Sequence, residues 1–370
     1  MPTETSQPLK SPGLRQIRED GCLSYVLWDR TAREAIAIDA SFAALEAIRE
    51  LLQQEMLRLV AVVDTHTHAD HPSCSHQLRR ETGARVVMGR GTTSARADRL
   101  VSAGDEIAAG SIRLKVLETP GHTPDSLCLV ESDAGGRARL AFTGDTLLIG
   151  ATGRTDFPSA DPSALFRSLR LLDEVLLPDT RILPAHDYGD LLFSLWGTEK
   201  AKNPHLQIHD EAAFVAMKRE ESLAVLSEEV HRLIRFNLTA EPDPQDGGVG
   251  GAGVAACGAA PATSERVPAI SVEKYALKIE GPGRGNFFVD VREADEFAAG
   301  HMPGVENIPL SELALEWPRV SQASKVYLSC QAGRRSRMAA MTLDRLGISG
   351  VVNVSGGFQG WLNAGLPVEK

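Results

Sequence analysis

The strongest constraint in this sequence is a set of histidines and aspartates, each of which follows a short apolar segment. The segment LVAVVD at 59–64 has the composition of a buried strand and runs directly into THTHADH. Similar groups follow apolar segments in TPGHTPDS, FTGDTLL and LPAHDY. The complete set is His66, His68, Asp70, His71, His122, Asp145 and His186. Because loops at strand ends can converge on one point, seven imidazole and carboxylate groups in such positions predict a metal site.

Alternating strands and helices extend over the N-terminal two thirds of the chain. Helical spacing predicts a helix over 41–57 with Ser41 as its N-cap. A second helix is predicted over 161–177, with Asp161 as N-cap and Pro162 at the first helical position. The predicted strands are 59–64, 84–89, 112–118, 127–131, 139–145 and 180–187.

A change of composition divides the chain. Residues 241–268 are rich in Gly, Ala and Pro and contain almost no large apolar residue, which predicts a flexible linker. We therefore expect domains over 1–240 and 269–370, and an incidental exposed thiol at Cys257 within the linker. Downstream, apolar strands at 286–291, 324–330 and 350–355 alternate with helical segments such as 336–347, which predicts a small parallel α/β sheet.

Charge and composition exclude several classes of partner. A net charge of -10 repels polyanions and argues against nucleic acid. The longest apolar runs fall well short of the roughly 20 residues that a membrane span needs. Five scattered cysteines are typical of a reducing compartment, so we expect a cytoplasmic protein. The sequence does not exclude a homo-oligomer.

The order HxHxDH, GH, GD and AHD resembles the metallo-β-lactamase superfamily across roughly residues 15–240. That resemblance implies a four-layered αββα sandwich with its metal site at one edge. Two families within it have all seven positions: dinuclear zinc thioester hydrolases of the glyoxalase II type and mononuclear iron persulfide dioxygenases. The stretches THTHADH, GRTDFPSADPSALFRSL and LPAHDYGD are more similar to the dioxygenases, although Thr152 stands where that family often has Cys.

The resemblance to persulfide dioxygenases implies one Fe(II) per chain, held by His66, His122 and Asp145. Such a triad leaves open positions for O2 and a substrate sulfur, whereas zinc has no redox chemistry. Four further residues would then orient the ligands and control protonation: His68, Asp70, His71 and His186. The implied substrate is glutathione persulfide, which O2 oxidises to sulfite and glutathione. Arg154 and Tyr188 match the positions at which that family holds the glutathione part of the substrate.

A cysteine loop in the C-terminal domain carries a second chemistry. Cys330 follows an apolar strand and precedes a Gly-containing loop and a helix, so loop amides and the helix N-terminus favour its thiolate. The stretches FVDVREADEFAAGHMPGVENIP, CQAGRRS and VSGGFQGW together resemble a rhodanese domain over roughly 270–370. The resemblance implies that Cys330 accepts sulfane sulfur as a persulfide, while Arg335 and the loop amides hold the anionic donor.

These resemblances together predict a bifunctional sulfur enzyme that also transfers sulfur from thiosulfate to glutathione. The alternative is a dinuclear zinc hydrolase of glutathione thioesters with a non-catalytic rhodanese module for sensing or docking.

Overall fold

The computed structural model describes residues 12–221, 228–239, 267–279 and 285–370. The predicted linker at 241–268 lies almost wholly outside the described residues, as does Cys257. The division into domains over 1–240 and 269–370 therefore stays a prediction.

Two six-stranded sheets form the N-terminal part. The first sheet has the order β1-β2-β3-β4-β5-β6, and the second has the order β12-β11-β10-β9-β8-β7. The strands of the first sheet are β1 (Gly13–Glu19), β2 (Cys22–Asp29), β3 (Glu34–Ile38), β4 (Arg58–Val63), β5 (Arg85–Gly89) and β6 (Arg99–Val101). Those of the second are β7 (Glu106–Ala109), β8 (Ile112–Glu118), β9 (Leu127–Ser132), β10 (Ala138–Gly144), β11 (Arg181–Pro184) and β12 (Ser194–Leu195).

Helices cover the outer faces of both sheets. They are α1 (Leu45–Gln54), α2 (Ser75–Thr82), α3 (Pro162–Val175), α4 (Trp196–Lys202), α5 (Glu211–Glu220) and α6 (Glu228–Leu238). Apolar side chains of α1 and α2 pack with the first sheet, and those of α3, α4 and α5 pack with the second. Between the sheets lies a continuous core in which the rings of Tyr25 and Phe142 meet edge to face at 5.2 Å. These layers confirm the predicted αββα sandwich.

The ends of the strands bring the predicted site together. All six strands predicted from the sequence are present, with ends shifted by at most three residues. The strands β4, β8, β10 and β11 each end shortly before a histidine or aspartate of the predicted metal site, in turn His66, His122, Asp145 and His186.

Of the two N-cap residues predicted from the sequence, one is confirmed and one is wrong. Asp161 caps α3 as predicted, because its side chain accepts hydrogen bonds from the backbone N–H groups of Ser163 and Ala164. The prediction of Ser41 as the N-cap of α1 is wrong, since this helix begins only at Leu45. The hydroxyl oxygen of Ser41 instead accepts a hydrogen bond from the N–H of Ala44, and this bond stabilises the turn that precedes the helix.

A five-stranded sheet of order β13-β17-β16-β14-β15 forms the C-terminal part, and every strand pair in it is parallel. Its strands are β13 (Ala269–Ile270), β14 (Asn286–Asp290), β15 (Glu306–Asn307), β16 (Lys325–Ser329) and β17 (Val351–Val354). Its helices are α7 (Val272–Ile279), α8 (Ala294–Ala299), α9 (Leu313–Val320), α10 (Arg334–Arg345) and α11 (Gly357–Asn363), with a 3₁₀ turn at Leu310–Glu312. The predicted parallel sheet is confirmed.

The N-terminal and C-terminal parts pack directly against each other. Leu14 and Phe193 of the sandwich line the same crevice as Leu310 and Ala314 of the C-terminal part. Among the described residues, three ion pairs cross this boundary: Arg15 to Glu293 at 2.8 Å, Arg30 to Glu312 at 2.6 Å and Arg345 to Glu199 at 3.3 Å. In the described part of the chain, every helix is too short or too polar to cross a membrane.

The role of Asp161 as the N-cap of α3 can be tested by substitution. Replacing Asp161 by Ala should lower the free energy of unfolding by about 1 kcal/mol, because two N–H groups of the first turn lose their acceptor. The thermal midpoint of the full chain measures the effect. Asp179→Ala is the matched control, since Asp179 makes only an exposed ion pair with Arg137 at 3.4 Å. Equal shifts for the two variants would contradict the capping role.

Candidate active sites

His66, His122 and Asp145 converge at the edge of the sandwich. The Nε2 atom of His122 lies 3.6 Å from Oδ2 of Asp145, and Nε2 of His66 lies 4.0 Å from the same oxygen. All three residues are buried. Among the residues that the structure describes, neither His66 Nε2 nor Asp145 Oδ2 has a hydrogen-bond partner. Unpaired buried polar atoms are costly, and a metal ion between them would satisfy both.

The other ring nitrogens fix the orientation of both imidazoles. Nδ1 of His122 lies 2.8 Å from the carbonyl oxygen of Arg154, which can only accept a hydrogen bond, so this nitrogen carries the proton. The hydroxyl of Thr65 donates to Asp39 and therefore accepts from Nδ1 of His66 at 3.0 Å. In the neutral form of both rings the lone pair is then on Nε2, which faces Asp145, as a metal ligand requires.

The charge states of the cluster also suit a metal. Burial, reinforced by the neighbouring His68, lowers the pKa of His66 to about 3, so this imidazole is neutral. Burial alone would raise the pKa of Asp145, but the adjacent His186 outweighs it and holds the pKa well below its usual range. The cluster therefore offers a neutral His66 imidazole and an ionised carboxylate.

His186 lies between two carboxylates. Its Nδ1 donates to Oδ1 of Asp145 and its Nε2 donates to Oδ2 of Asp70, both at 2.6 Å. Burial disfavours the imidazolium, but Asp145 and Asp70 outweigh burial and raise the pKa of His186 well above its ordinary value. Both nitrogens of this cation are therefore engaged as donors.

Three of the remaining predicted residues form contacts beside this centre. Nε2 of His68 lies 3.2 Å from Oδ1 of Asp39, and Nδ1 of His71 lies 3.0 Å from Oδ2 of Asp70. Burial lowers the pKa of His71, but Asp70 reverses this and raises it to about 10. A second group that could hold a metal consists of Cys22, Asp70, His71 and His186.

Sequence reasoning missed both Asp39 and Cys22. Asp39 also accepts hydrogen bonds from the backbone and hydroxyl of Thr65, and Sγ of Cys22 lies 3.4 Å from Oδ2 of Asp70. Burial raises the pKa of Cys22, but hydrogen bonds with His186 and His71 outweigh it and lower the pKa. Neither residue belongs to a sequence motif, so the sequence pattern indicates neither of them as part of the site.

The two predicted substrate residues lie on loops that follow the ligands. The ring of Tyr188 is stacked on that of His186 at 6.2 Å and is 37% exposed. The guanidinium of Arg154 forms two hydrogen bonds with Asp156, at 2.5 and 2.7 Å. A Cβ on Gly153 would lie 2.1 Å from the carbonyl oxygen of Asp145, so only glycine lets this loop approach the ligand so closely. Both substrate roles stay predictions.

A cleft of about 290 Å³ opens beside the cluster. Its lining includes Thr67 and Ala69 from the THTHADH segment and Phe157 from the loop after Arg154. The ring of Phe157 meets that of His122 edge to face at 5.3 Å. The cleft therefore gives a small molecule room next to the candidate ligands.

The cysteine loop lies between β16 and α10. Cys330 is buried, and its Sγ accepts a hydrogen bond from the N–H of Gly333 at 3.1 Å. The hydroxyl of Ser336 lies 3.4 Å from the same sulfur and donates to Oδ1 of Asn353 at 2.7 Å. Gly357, with a φ of +55°, packs so closely that a Cβ would lie 2.1 Å from the carbonyl oxygen of Cys330. Donors that point at the sulfur stabilise a thiolate or a persulfide anion.

Arg335 is engaged by a carboxylate of its own domain. It forms two hydrogen bonds with Glu296, at 2.6 and 2.7 Å, and these raise the pKa of Arg335. The predicted role of Arg335 in holding an anionic donor stays a prediction. The contacts of Glu296 and Ser336 were not predicted, although Ser336 belongs to the CQAGRRS motif.

Comparisons with known proteins show which families this chain is similar to. Residues 17–186 match the metallo-beta-lactamase superfamily, and residues 271–364 match the rhodanese-like domain. The human mitochondrial persulfide dioxygenase ETHE1 is 37% identical over 201 residues, which are 54% of this chain and 77% of that protein. The crystal structure of ETHE1 from Myxococcus xanthus is 31% identical with a TM-score of 0.55, and covers 61% of this chain and 96% of its own. A metallo-beta-lactamase from Staphylococcus aureus has a similar fold, with a TM-score of 0.59 at 20% identity, over 93% of this chain and 99% of its own.

The geometry predicts which substitutions remove a bound metal. Asp145→Ala and His122→Ala should each lose the metal, because each removes one of three converging ligand atoms. Arg154→Ala is the control and should keep it, since its backbone carbonyl still orients His122. Elemental analysis of the purified variants measures the result. Retention of metal in Asp145→Ala together with its loss in Asp70→Ala would place the metal in the second group.

Proposed function

This chain belongs to the metallo-β-lactamase superfamily, has persulfide dioxygenases among its relatives and carries a C-terminal rhodanese domain, and on that premise we propose a bifunctional sulfur enzyme. The N-terminal reaction converts glutathione persulfide, O2 and water to glutathione and sulfite. The observation that carries this proposal is the convergence of His66, His122 and Asp145 with their ligand atoms turned toward one another.

Two nitrogens and one carboxylate oxygen fit an iron site with open positions. When bound, iron would supply the redox chemistry that joins O2 to the outer sulfur, which zinc lacks. Both ring nitrogens of His186 lie 2.6 Å from a carboxylate oxygen, one of Asp145 and one of Asp70, and in this proposal His186 orients Asp145 and does not bind a second ion.

The surrounding residues have separate tasks in this proposal. The His186 cation holds Oδ1 of Asp145, so that Oδ2 stays directed at the metal position. Arg154 and Tyr188 hold the glutathione part of the substrate on loops next to the ligands. Phe157 packs on His122 and keeps water from one side of the site.

The C-terminal reaction supplies the substrate of the first. The thiolate of Cys330 attacks the outer sulfur of thiosulfate, a new S–S bond forms, and sulfite leaves with the electron pair of the broken bond. A glutathione thiolate then takes the outer sulfur, which regenerates Cys330 and yields glutathione persulfide. The N–H of Gly333 stabilises the anionic sulfur in both steps.

A dinuclear zinc thioester hydrolase is the second candidate. In the described part of the chain, His71 Nε2 and Asp70 Oδ1 are also buried without hydrogen-bond partners, so a second ion could bind there. A metal-bound hydroxide would then attack a glutathione thioester. In that case the rhodanese domain would serve for sensing or docking.

The proposed partners are glutathione persulfide, glutathione, O2 and thiosulfate. The cytoplasmic location rests on the scattered cysteines of the sequence and stays a prediction.

Metal content and oxygen uptake test the first reaction. Protein from iron-replete medium should contain one iron per chain and consume O2 with glutathione persulfide, and Asp145→Ala should abolish both. Arg154→Ala should retain iron but lose kcat/KM by about tenfold or more, because it loses a substrate contact and not a ligand. Two zinc ions per chain, thioester hydrolysis and no oxygen uptake would establish the second candidate instead.

Oxygen uptake driven by thiosulfate tests the coupling of the two reactions. Wild-type protein given only thiosulfate and glutathione should consume O2, whereas Cys330→Ser should not, because it has no thiolate to accept the sulfur. Both proteins should consume O2 equally with preformed glutathione persulfide, which serves as the control. Equal rates from thiosulfate in the two proteins would show that Cys330 does not supply the substrate.

A further inference from the structure

Helix α10 of the rhodanese domain extends from the cysteine loop to the N-terminal domain. Its first residues follow the cysteine loop, and the hydroxyl of Ser336 in its first turn lies 3.4 Å from Sγ of Cys330. Its last turns face the N-terminal domain, where Thr342 is fully buried and the side chain of Arg345 is 18% exposed. One rigid element therefore extends from the sulfur-accepting loop to the sandwich.

The first contact involves the loop that carries Tyr188. The backbone N–H of Leu192 donates to Oγ1 of Thr342 at 3.0 Å, in a buried position. Leu192 lies four residues after Tyr188 and six after His186. A side chain of the rhodanese domain therefore satisfies a buried backbone donor at the base of a proposed substrate loop.

The second contact reaches the loop that carries Arg154. Arg345 forms an ion pair with Glu199 at 3.3 Å, and the side chain of Glu199 is fully buried. Glu199 accepts the backbone N–H of Gly150 at 2.7 Å and the hydroxyl of Ser194 at 2.6 Å. Gly150 belongs to the segment between Asp145 and Arg154, so the carboxylate connects Arg345 to the second proposed substrate loop.

The charge of Glu199 makes this connection sensitive to Arg345. A buried carboxylate needs compensation by cations and hydrogen-bond donors, and removal of its cation leaves it poorly compensated. In the described part of the chain its other partners are neutral donors from Gly150, Ser194 and Asn203, so loss of the Arg345 cation displaces the carboxylate and weakens its hold on the N–H of Gly150. Lys202 adds a contact at the same place, donating to the carbonyl oxygen of Arg345 at 2.8 Å.

We propose that the last turns of α10 position the two substrate loops of the dioxygenase, with Thr342 and Arg345 as positioning residues. This inference rests on the proposed function for its effect on turnover. The rhodanese domain then has a second role, since it shapes the N-terminal site in a reaction in which Cys330 takes no part. The loops from Asp145 to Arg154 and from His186 to Leu192 depend on it together.

Point variants of the full chain test the proposal with preformed glutathione persulfide as substrate. Arg345→Gln and Thr342→Val should each raise KM by about tenfold with iron content unchanged, because displaced loops hold the substrate less well. Thr342→Ser should restore the wild-type KM, since it keeps the hydroxyl that accepts from Leu192. Asp344→Asn is the matched control and should behave as wild type, because Asp344 is exposed on the same helix.

A second measurement does not depend on the reaction. Amide hydrogen exchange should be faster at Gly150 in Arg345→Gln and at Leu192 in Thr342→Val, and unchanged at both in Asp344→Asn. Unchanged exchange and unchanged KM would overturn the proposal, as would a fall in kcat that only follows loss of iron, which indicates general destabilisation. If wild-type protein consumes no O2, the proposed function fails, and the exchange at these two amides alone then decides whether α10 holds the loops.

Discussion

The carboxylate of Asp145 has a different neighbour at each oxygen, and the N-terminal site depends on this arrangement. Oδ1 accepts from the His186 cation at 2.6 Å, while Oδ2 faces the Nε2 atoms of His66 and His122. A buried anion is stable only where positive charge and donors surround it. His186 supplies this on one side, and in our account the metal supplies it on the other. Asp70, bonded to the far nitrogen of His186, extends the same network.

Strand register explains why these groups meet. The parallel strands β10 and β11 place Gly144 opposite Pro184, so that Asp145 and His186 leave neighbouring strands at the same edge. A hydrogen bond from the N–H of Leu127 to the carbonyl oxygen of Thr65 ties the segment before His66 to the second sheet. Strand register at the edge of the sandwich therefore sets the positions of the candidate ligands.

Local patterns in the sequence were sufficient for the individual strands and the parallel sheet, because strand ends depend on nearby residues, and the sandwich followed from the resemblance of the motifs to a known superfamily. They were insufficient where a contact joins distant segments. Cys22 reaches the cluster only because β2 begins next to His186, and Asp39 meets His68 across the end of β3. Ser41 had the composition of a cap, but the turn before Leu45 moved the helix start. The Gly-rich composition of the linker likewise does not predict that Thr342 and Arg345 contact the N-terminal domain.

The contact between the two domains constrains the loops at their boundary, which a flexible linker alone would not do. A flexible linker raises the local concentration of one site near another, whereas a packed boundary also constrains the loops on either side. The ion pair of Arg345 with the buried Glu199 lies at this boundary and reaches the segment that follows Asp145. In the proposed function, sulfur transfer and sulfur oxidation share a structural element as well as an intermediate.

Anomalous diffraction from crystals of the full chain, prepared from iron-replete cells and measured at the iron and zinc absorption edges, tests the central claim most directly. We expect one iron peak within bonding distance of His66 Nε2, His122 Nε2 and Asp145 Oδ2. Zinc peaks both there and between Asp70, His71 and His186 would contradict it.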